Sequence, residues 1–256
     1  MPPVATSLSG GPMSSHPTPF HELVESRRSV RRYRPDPIPS EALDAMLRAA
    51  QRAPTGAALQ LYSFVRITDP GLRDRIATLA GDQRHVREAP EFFVICADTH
   101  RIERLIAYRG GESGIGPMMA LFYGLIDATL AAAYLALAAE AMGYGTCFIG
   151  GIQNHLDEVA RLLALPRRVI PLVGLCIGRP AEEPPKKPRL PLAAILHENG
   201  YREPTPALLE ESYRVMAAAT RSGDWYNVLR KYGASGGVME RRETVLHRAL
   251  IQQGFR

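Results

Sequence analysis

Apolar positions Ala42, Leu43, Met46, Leu47 and Ala50 recur at the three-to-four spacing of a single helical face. A helix is therefore expected from Ser40, with Ser40 as its N-cap and Pro54 and Gly56 ending it. The same reading predicts a short helix over Pro19 to Glu25 and one from the capping pair Asp69-Pro70 to about Ala80. Further helices are expected from Pro117, over Asn154 to Leu163, over about Ala207 to Arg221, and over Val238 to Gln252. Four apolar runs are too short and too continuous for a helical stripe. Tyr62 to Thr68, Glu91 to Ala97, Gly145 to Gly150 and Val169 to Ile177 are expected as strands. Short strands among longer helices indicate an α+β or α/β domain.

Composition marks the boundaries. Residues 1–18 are rich in Pro, Ser, Gly and Thr without an apolar stretch, and are expected to form a disordered leader. Residues 179–191 hold five prolines and two lysines, which predicts an extended linker. The expected organisation is a core over residues 19–200 followed by a helical C-terminal arm over 201–256 that packs on the partner subunit. The longest apolar stretch, Pro117 to Met142, is interrupted by Asp127 and Glu140 and dominated by alanine. A buried or subunit-interface helix fits it better than a membrane span.

The totals exclude several classes. A net charge of +5 over 256 residues is too small to imply nucleic acid, though it suits small anions. Three cysteines form no CxxC pair, and seven histidines show neither HxxxH nor HExxH spacing. A disulfide framework and a zinc site are not expected; three reduced thiols in a cytoplasmic protein are. Gly143-x-Gly145 precedes its strand and Gly114-x-Gly116 follows none, so the Rossmann fingerprint is absent. P-loop and GxSxG motifs are absent as well.

Two basic clusters remain to be explained. Arg27, Arg28, Ser29 and Arg31 put three guanidinium forks and a hydroxyl within five residues, a donor set suited to phosphate oxygens. Taken alone, such a run is more often a solvated turn. Lys186, Lys187 and Arg189 form a second cluster on the proline-stiffened linker. Two cationic patches repel unless an anion lies between them, so one shared phosphate would account for both. Two turns add glycines that admit a flat ligand to the backbone: Ala53 to Gln60, with Thr55 and Gly56, and Gly143 to Ile152.

Together these segments resemble the nitroreductase family, in particular its NADPH-preferring branch of oxygen-insensitive nitroreductases and flavin reductases. The similarity is borne by RRSVRRYRPDPIP (27–39), APTGAALQ (53–60), GDQRHVREAPEFFVICAD (81–98), YGTCFIGGIQN (144–154) and a later stretch ending in KKPRLP (186–191). The resemblance covers roughly residues 19–200. It implies an α+β fold with a small mixed, mostly antiparallel sheet flanked by helices, in an intertwined homodimer with FMN at the interface. By the same resemblance Arg27, Arg28 and Ser29 would contact the phosphate and ribityl chain, Arg31 the pyrimidine edge, and Lys187 and Arg189 the phosphate. Gln83 would touch the isoalloxazine, Thr55 and Gly56 would line the first loop, and Phe148, Ile149, Gly150 and Gly151 would face flavin N5.

The implied activity is ping-pong transfer of hydride from NADPH or NADH to nitroaromatics, quinones or free flavins. The cofactor then performs the chemistry, and no catalytic side chain or metal is required. Arg221 matches a position that the branch uses for the NADPH 2′-phosphate, but the sequence after it diverges, so an exposed helix-end arginine is the stronger expectation. Arg27 stands where the branch commonly has histidine, and Ala57 and Ala58 stand where it has polar residues. Beyond Tyr201 the match is poor. A flavin carrier or regulator with little turnover is the alternative. A nucleic-acid binder ranks last, because few aromatics flank the basic clusters.

Overall fold

The computed structural model of the protein describes residues 19–256. The expected leader, residues 1–18, lies outside the described residues. Strands β1 (Tyr62–Arg66), β2 (Glu91–Asp98), β3 (Gly145–Ile149) and β4 (Val169–Gly178) form one sheet in the order β1-β2-β4-β3. Each neighbouring pair is antiparallel. The parallel component of the sheet is limited to an isolated bridge between Ser29 and Thr146.

β2 is buried along its whole length, which explains why its sequence does not alternate. Phe92, Val94 and Cys96 enter one core cluster, and Phe93 and Ile95 enter the other. Pro171 sits inside β4, a position that would remove a ladder donor. It is tolerated beside a bulge, where Leu172 is the extra residue opposite the Ile95–Cys96 step.

The helices are α1 (Pro19–Ser26), α2 (Ser40–Ala50), α3 (Pro70–Leu79), α4 (Arg84–Glu88), α5 (His100–Tyr108), α6 (Pro117–Ala141), α7 (Leu156–Leu162), α8 (Pro206–Met216), α9 (Tyr226–Gly233) and α10 (Val238–Gln252). α2 buries Leu43, Met46 and Ala50 as its pattern predicts, each large side chain stabilising by about 1.5–3 kcal/mol. Its N-cap is Pro39; Ser40 is already helical and makes no capping bond. Asp69 does cap α3, accepting from the Leu72 N–H at 2.6 Å. The helix expected from Asn154 begins at Leu156, because residues 150–155 form 3-10 turns. α4, α5 and α9 are not among the elements that the sequence pattern predicts. The first is a single short turn of helix, and the other two bury no residue, so a core-facing stripe is lacking.

α6 organises the domain. Its face of Ala120, Gly124, Asp127, Ala128, Ala131, Leu135 and Ala139 is buried. Gly124 permits the close approach to β2, since an added Cβ would stand 3.0 Å from Ala97 Cβ. By length and composition α6 is the one helix among the described residues apolar enough to cross a bilayer. Its alanine face packs on the protein's own sheet instead, while Met118, Met119, Phe122, Tyr123, Ile126 and Tyr134 are exposed on the outside. At the end of the chain, α10 packs on α7 and the 150–155 turns, burying Ala249 and Phe255. Arg248 Nε reaches Asp157 at 2.9 Å to hold it there.

Candidate functional site

The first basic run lies along β3. Val30 N–H donates to Thr146 O at 2.9 Å, and Ser29 forms the bridge to Thr146. A few residues on, the chain pairs with the segment leaving β4. Arg34 N–H donates to Arg179 O at 2.8 Å and Ala181 N–H to Arg32 O at 2.9 Å. Glu182 fastens this seam, its Oε1 accepting from the backbone N–H groups of Arg31 (2.6 Å) and Arg32 (3.1 Å). Arg28 Nη1 is bound to Glu183 Oε1 at 2.6 Å, and Arg27 Nη1 stands 3.9 Å from Glu140 Oε1. Arg27, Arg28, Glu140, Glu182 and Glu183 thus share a pocket of about 290 Å³. The arginines are legible in the sequence but these three carboxylates are not: Glu182 and Glu183 meet them only when the two segments pair, and Glu140 only because α6 ends beside them.

The second cluster lies on the strap that continues from Glu183. Lys187 is four residues beyond Glu183, a reach of at most about 14 Å for an extended chain. Lys187 Nζ donates to Ala219 O at 2.7 Å, and Arg189 Nη1 to the carbonyls of Lys187 and Pro188, each at 3.1 Å. Neither side chain lines the Arg27–Arg28 pocket.

A larger cavity of about 820 Å³ brings together Arg31, Gln83, Phe148, Gly150 and Gly151. Strand alternation decides which side chains face it: Phe148 is 40% exposed, whereas Ile149 is buried in the core and offers only its backbone. Gln83 Nε2 donates to Ala80 O at 2.7 Å. Gly151 lies directly against this pair; a Cβ there would stand 2.9 Å from the Ala80 carbonyl carbon and closer still to Ala80 O and Gln83 Nε2. The glycine therefore lets the turn pack directly on Ala80 and Gln83, which any side chain would push away.

The opposite wall comes from the C-terminal arm, through Lys231, Tyr232, Arg241 and Arg242. Arg242 is fixed by Asn154 Oδ1 and Gln153 Oε1, both at 2.9 Å. Four cations and no carboxylate line the cavity, so its potential favours anions. Arg221, by contrast, is exposed and is not among the lining residues. The arm cations were missed by sequence reasoning, although the paired arginines in MERRET were a signal. His85, two residues beyond Gln83, has a buried Nε2 without a partner. Burial, and then the positive Arg31, push its pKa down.

The first loop is built differently. Asp127 of α6 is fully buried and accepts the N–H of Gly56 at 3.0 Å on Oδ1 and that of Leu61 at 2.9 Å on Oδ2. Between those anchors Ala57, Ala58 and Gln60 all have left-handed backbone, with φ of 48°, 57° and 54°. Such a conformation costs about 1–2 kcal/mol for each residue with a Cβ, so the loop needs an external clamp. Thr55 and Gly56 do not line the cavity of their own chain. Gly56 lies instead against Tyr123, on the exposed apolar face of α6.

The comparisons with known proteins agree with one another. Residues 24–179 match the model of the nitroreductase family. The chain is 35% identical over 221 residues to an oxygen-insensitive NADPH nitroreductase of Salmonella typhimurium, covering 84% of this chain and 90% of that protein. It is 41% identical over 182 residues to an FMN reductase (NADPH) of Bacillus subtilis, covering 70% and 73%. The crystal structure of nitroreductase A from Vibrio parahaemolyticus superposes with a TM-score of 0.80 at 31% identity, covering 89% of this chain and 94% of that one.

Proposed function

This chain belongs to the nitroreductase family, and on that premise we propose that it is an FMN-dependent oxidoreductase that passes reducing equivalents from NADPH to small acceptors. The observation that supports this most directly is the cavity in which Arg31, Gln83, Phe148 and the Gly150–Gly151 turn meet. The residues fit the cofactor. Gly151 lets the turn close directly on Ala80 and the Gln83 amide at the cavity wall, and the donor set at Arg27, Arg28, Ser29 and Arg31 suits a phosphate and an electron-rich ring edge.

Bound FMN supplies two-electron redox chemistry between a nicotinamide nucleotide and an acceptor. The side chains bind and orient. Arg31 would hold a fixed positive charge beside the bound ring, Gln83 would offer a directed amide, and Phe148 an aromatic face. Lys187 and Arg189 would complete the phosphate site only by turning from the carbonyls they hold toward the Arg27–Arg28 pocket, and Thr55 and Gly56 would be contributed at a subunit interface. Lys231 and Arg241 draw anionic nucleotides or acceptors to the mouth, while Tyr232, Val238 and Val245 exclude water. One cavity serving donor and acceptor in turn supports a ping-pong cycle with nitroaromatics, quinones or free flavins as acceptors; NADH is a second donor.

The working unit is a homodimer in this reading. The bare apolar face of α6, with Met118, Met119, Phe122, Tyr123 and Ile126 exposed, is the surface that a second copy would cover. Leu192, Ile195, Leu196 and Tyr201 are exposed as well, so the stretch from 192 into the arm before α10 is the part that reaches the second subunit. Three buried free thiols suit a reducing cytoplasm.

The test is spectroscopic. Purified protein is expected to be yellow, with a flavin absorbance that NADPH bleaches under anaerobic conditions and an acceptor restores. Colour that survives both NADPH and NADH would overturn the reductase and favour a flavin carrier; colourless protein that does not take up FMN would overturn both.

A further inference from the structure

Glu140 lies in the last turn of α6, its side chain only 8% exposed. Oε1 accepts a 2.5 Å hydrogen bond from the Thr146 hydroxyl and stands 3.9 Å from Arg27 Nη1. Oε2 is buried without any hydrogen-bond partner. The other charged or titratable groups around the same pocket are Arg27, Arg28, Tyr144, Glu182 and Glu183. Glu182 is engaged by the backbone of Arg31 and Arg32, and Glu183 by Arg28. Glu140 is thus the carboxylate of this pocket that faces Arg27.

A buried carboxylate with one bare oxygen is poorly stabilised as an anion. Loss of water pushes its pKa up, against the opposing pull of the Thr146 hydroxyl and the Arg27 charge. At 3.9 Å the ion pair is too long for a hydrogen bond, so Arg27 is attracted without being locked.

We propose that Glu140 is a positioning residue of the phosphate pocket: as a carboxylate it draws Arg27 inward and repels a phosphate dianion, and as a neutral acid it releases the guanidinium to the phosphate. This rests on the reading of Arg27 as a phosphate contact. Phosphate binding and protonation of Glu140 then favour each other, so FMN binding takes up a proton at this carboxyl. Affinity falls as pH rises through the titration of Glu140, by up to about tenfold per pH unit. A glutamine at 140 keeps the acceptor for Thr146 and imitates the neutral acid.

The experiment dilutes FMN-loaded full-length protein, wild type and Glu140→Gln, from pH 5.5 to 8.5 and reads released flavin by its fluorescence. The dissociation constant of the wild type is expected to exceed that of the variant at least fivefold at pH 8.5, with the ratio narrowing as pH falls. Titration of the FMN phosphate itself is common to both proteins and cancels in the ratio. Riboflavin, which lacks the phosphate, is expected to bind the two proteins equally at every pH. Equal FMN constants throughout, or weaker binding by the variant at pH 8.5, would overturn the proposal. Should the glutamine variant not fold, Glu140→Ala removes the same charge and is expected to hold FMN at least fivefold more tightly than the wild type at pH 8.5; equal or weaker binding would overturn the proposal equally. Failure of either protein to hold FMN at any pH would instead overturn the cofactor assignment on which the proposal stands.

Discussion

Replacing Gly151 with alanine is expected to disrupt the packing of its turn on Ala80 and Gln83, and its neighbour Gly150 provides the control. The new methyl at 151 would press on the Ala80 carbonyl and the Gln83 amide, the two ends of one 2.7 Å hydrogen bond. The Ala80 carbonyl is backbone and cannot swing aside, so the turn must shift. Overpacking of this kind costs about 1–3 kcal/mol, and losing the Gln83 bond adds about 1 kcal/mol. Together they predict a loss of about 2–4 kcal/mol, a drop in melting temperature of about 5–15 °C for a domain of this size. At Gly150 the added Cβ would meet nothing nearer than Gln153 Oε1 at 3.9 Å, so Gly150→Ala should change stability by less than about 1 kcal/mol. Urea unfolding followed by tyrosine and tryptophan fluorescence, at one protein concentration, compares the three proteins. Removing Gln83 in the same chain should restore little, because the clash with the Ala80 carbonyl remains. Wild-type stability and flavin affinity in Gly151→Ala would refute the reasoning.

Other expectations concern the buried polar groups. Asp127→Asn turns an amide NH₂ toward one of the two backbone N–H groups that the carboxylate now accepts. A loss of about 2–4 kcal/mol is expected, with faster hydrogen exchange at Gly56 and Leu61; unchanged exchange there would show that the loop needs no clamp. Burial and Arg31 lower the His85 pKa, so the unfolded chain takes up this proton first as pH falls. The His85 contribution to stability is therefore full above about pH 6.5 and declines below it, and His85→Gln should flatten the urea midpoint between pH 7 and 5. Burial pushes the thiols of Cys96, Cys147 and Cys176 up, so a disulfide reagent at pH 8 should label none in the native protein and three in denaturant. Rapid labelling of the folded protein would contradict that burial.

Periodicity and local chemistry determined much of the framework. The α2 stripe, the Asp69 cap, the unbroken apolar β2 and the limits of α10 depend on neighbours within a few residues, and the sequence displays them. The glycine turn at 150–151 and the arginine run were legible for the same reason. What the tertiary structure decided involves partners distant along the chain. Asp127 reads as an interruption in an apolar helix, yet it clamps a loop whose anchors lie 71 and 66 residues away. Glu182 and Glu183 look like linker charges until the strap pairs with the arginine run about 150 residues earlier. Arg241 reaches the cavity because α10 folds back onto α7, and Lys231 because α9 packs on α10. Short-range preferences are set by backbone geometry and side-chain shape and are written in order along the sequence. A charge or hydrogen bond takes its meaning from what surrounds it in space, and chain folding alone supplies those surroundings.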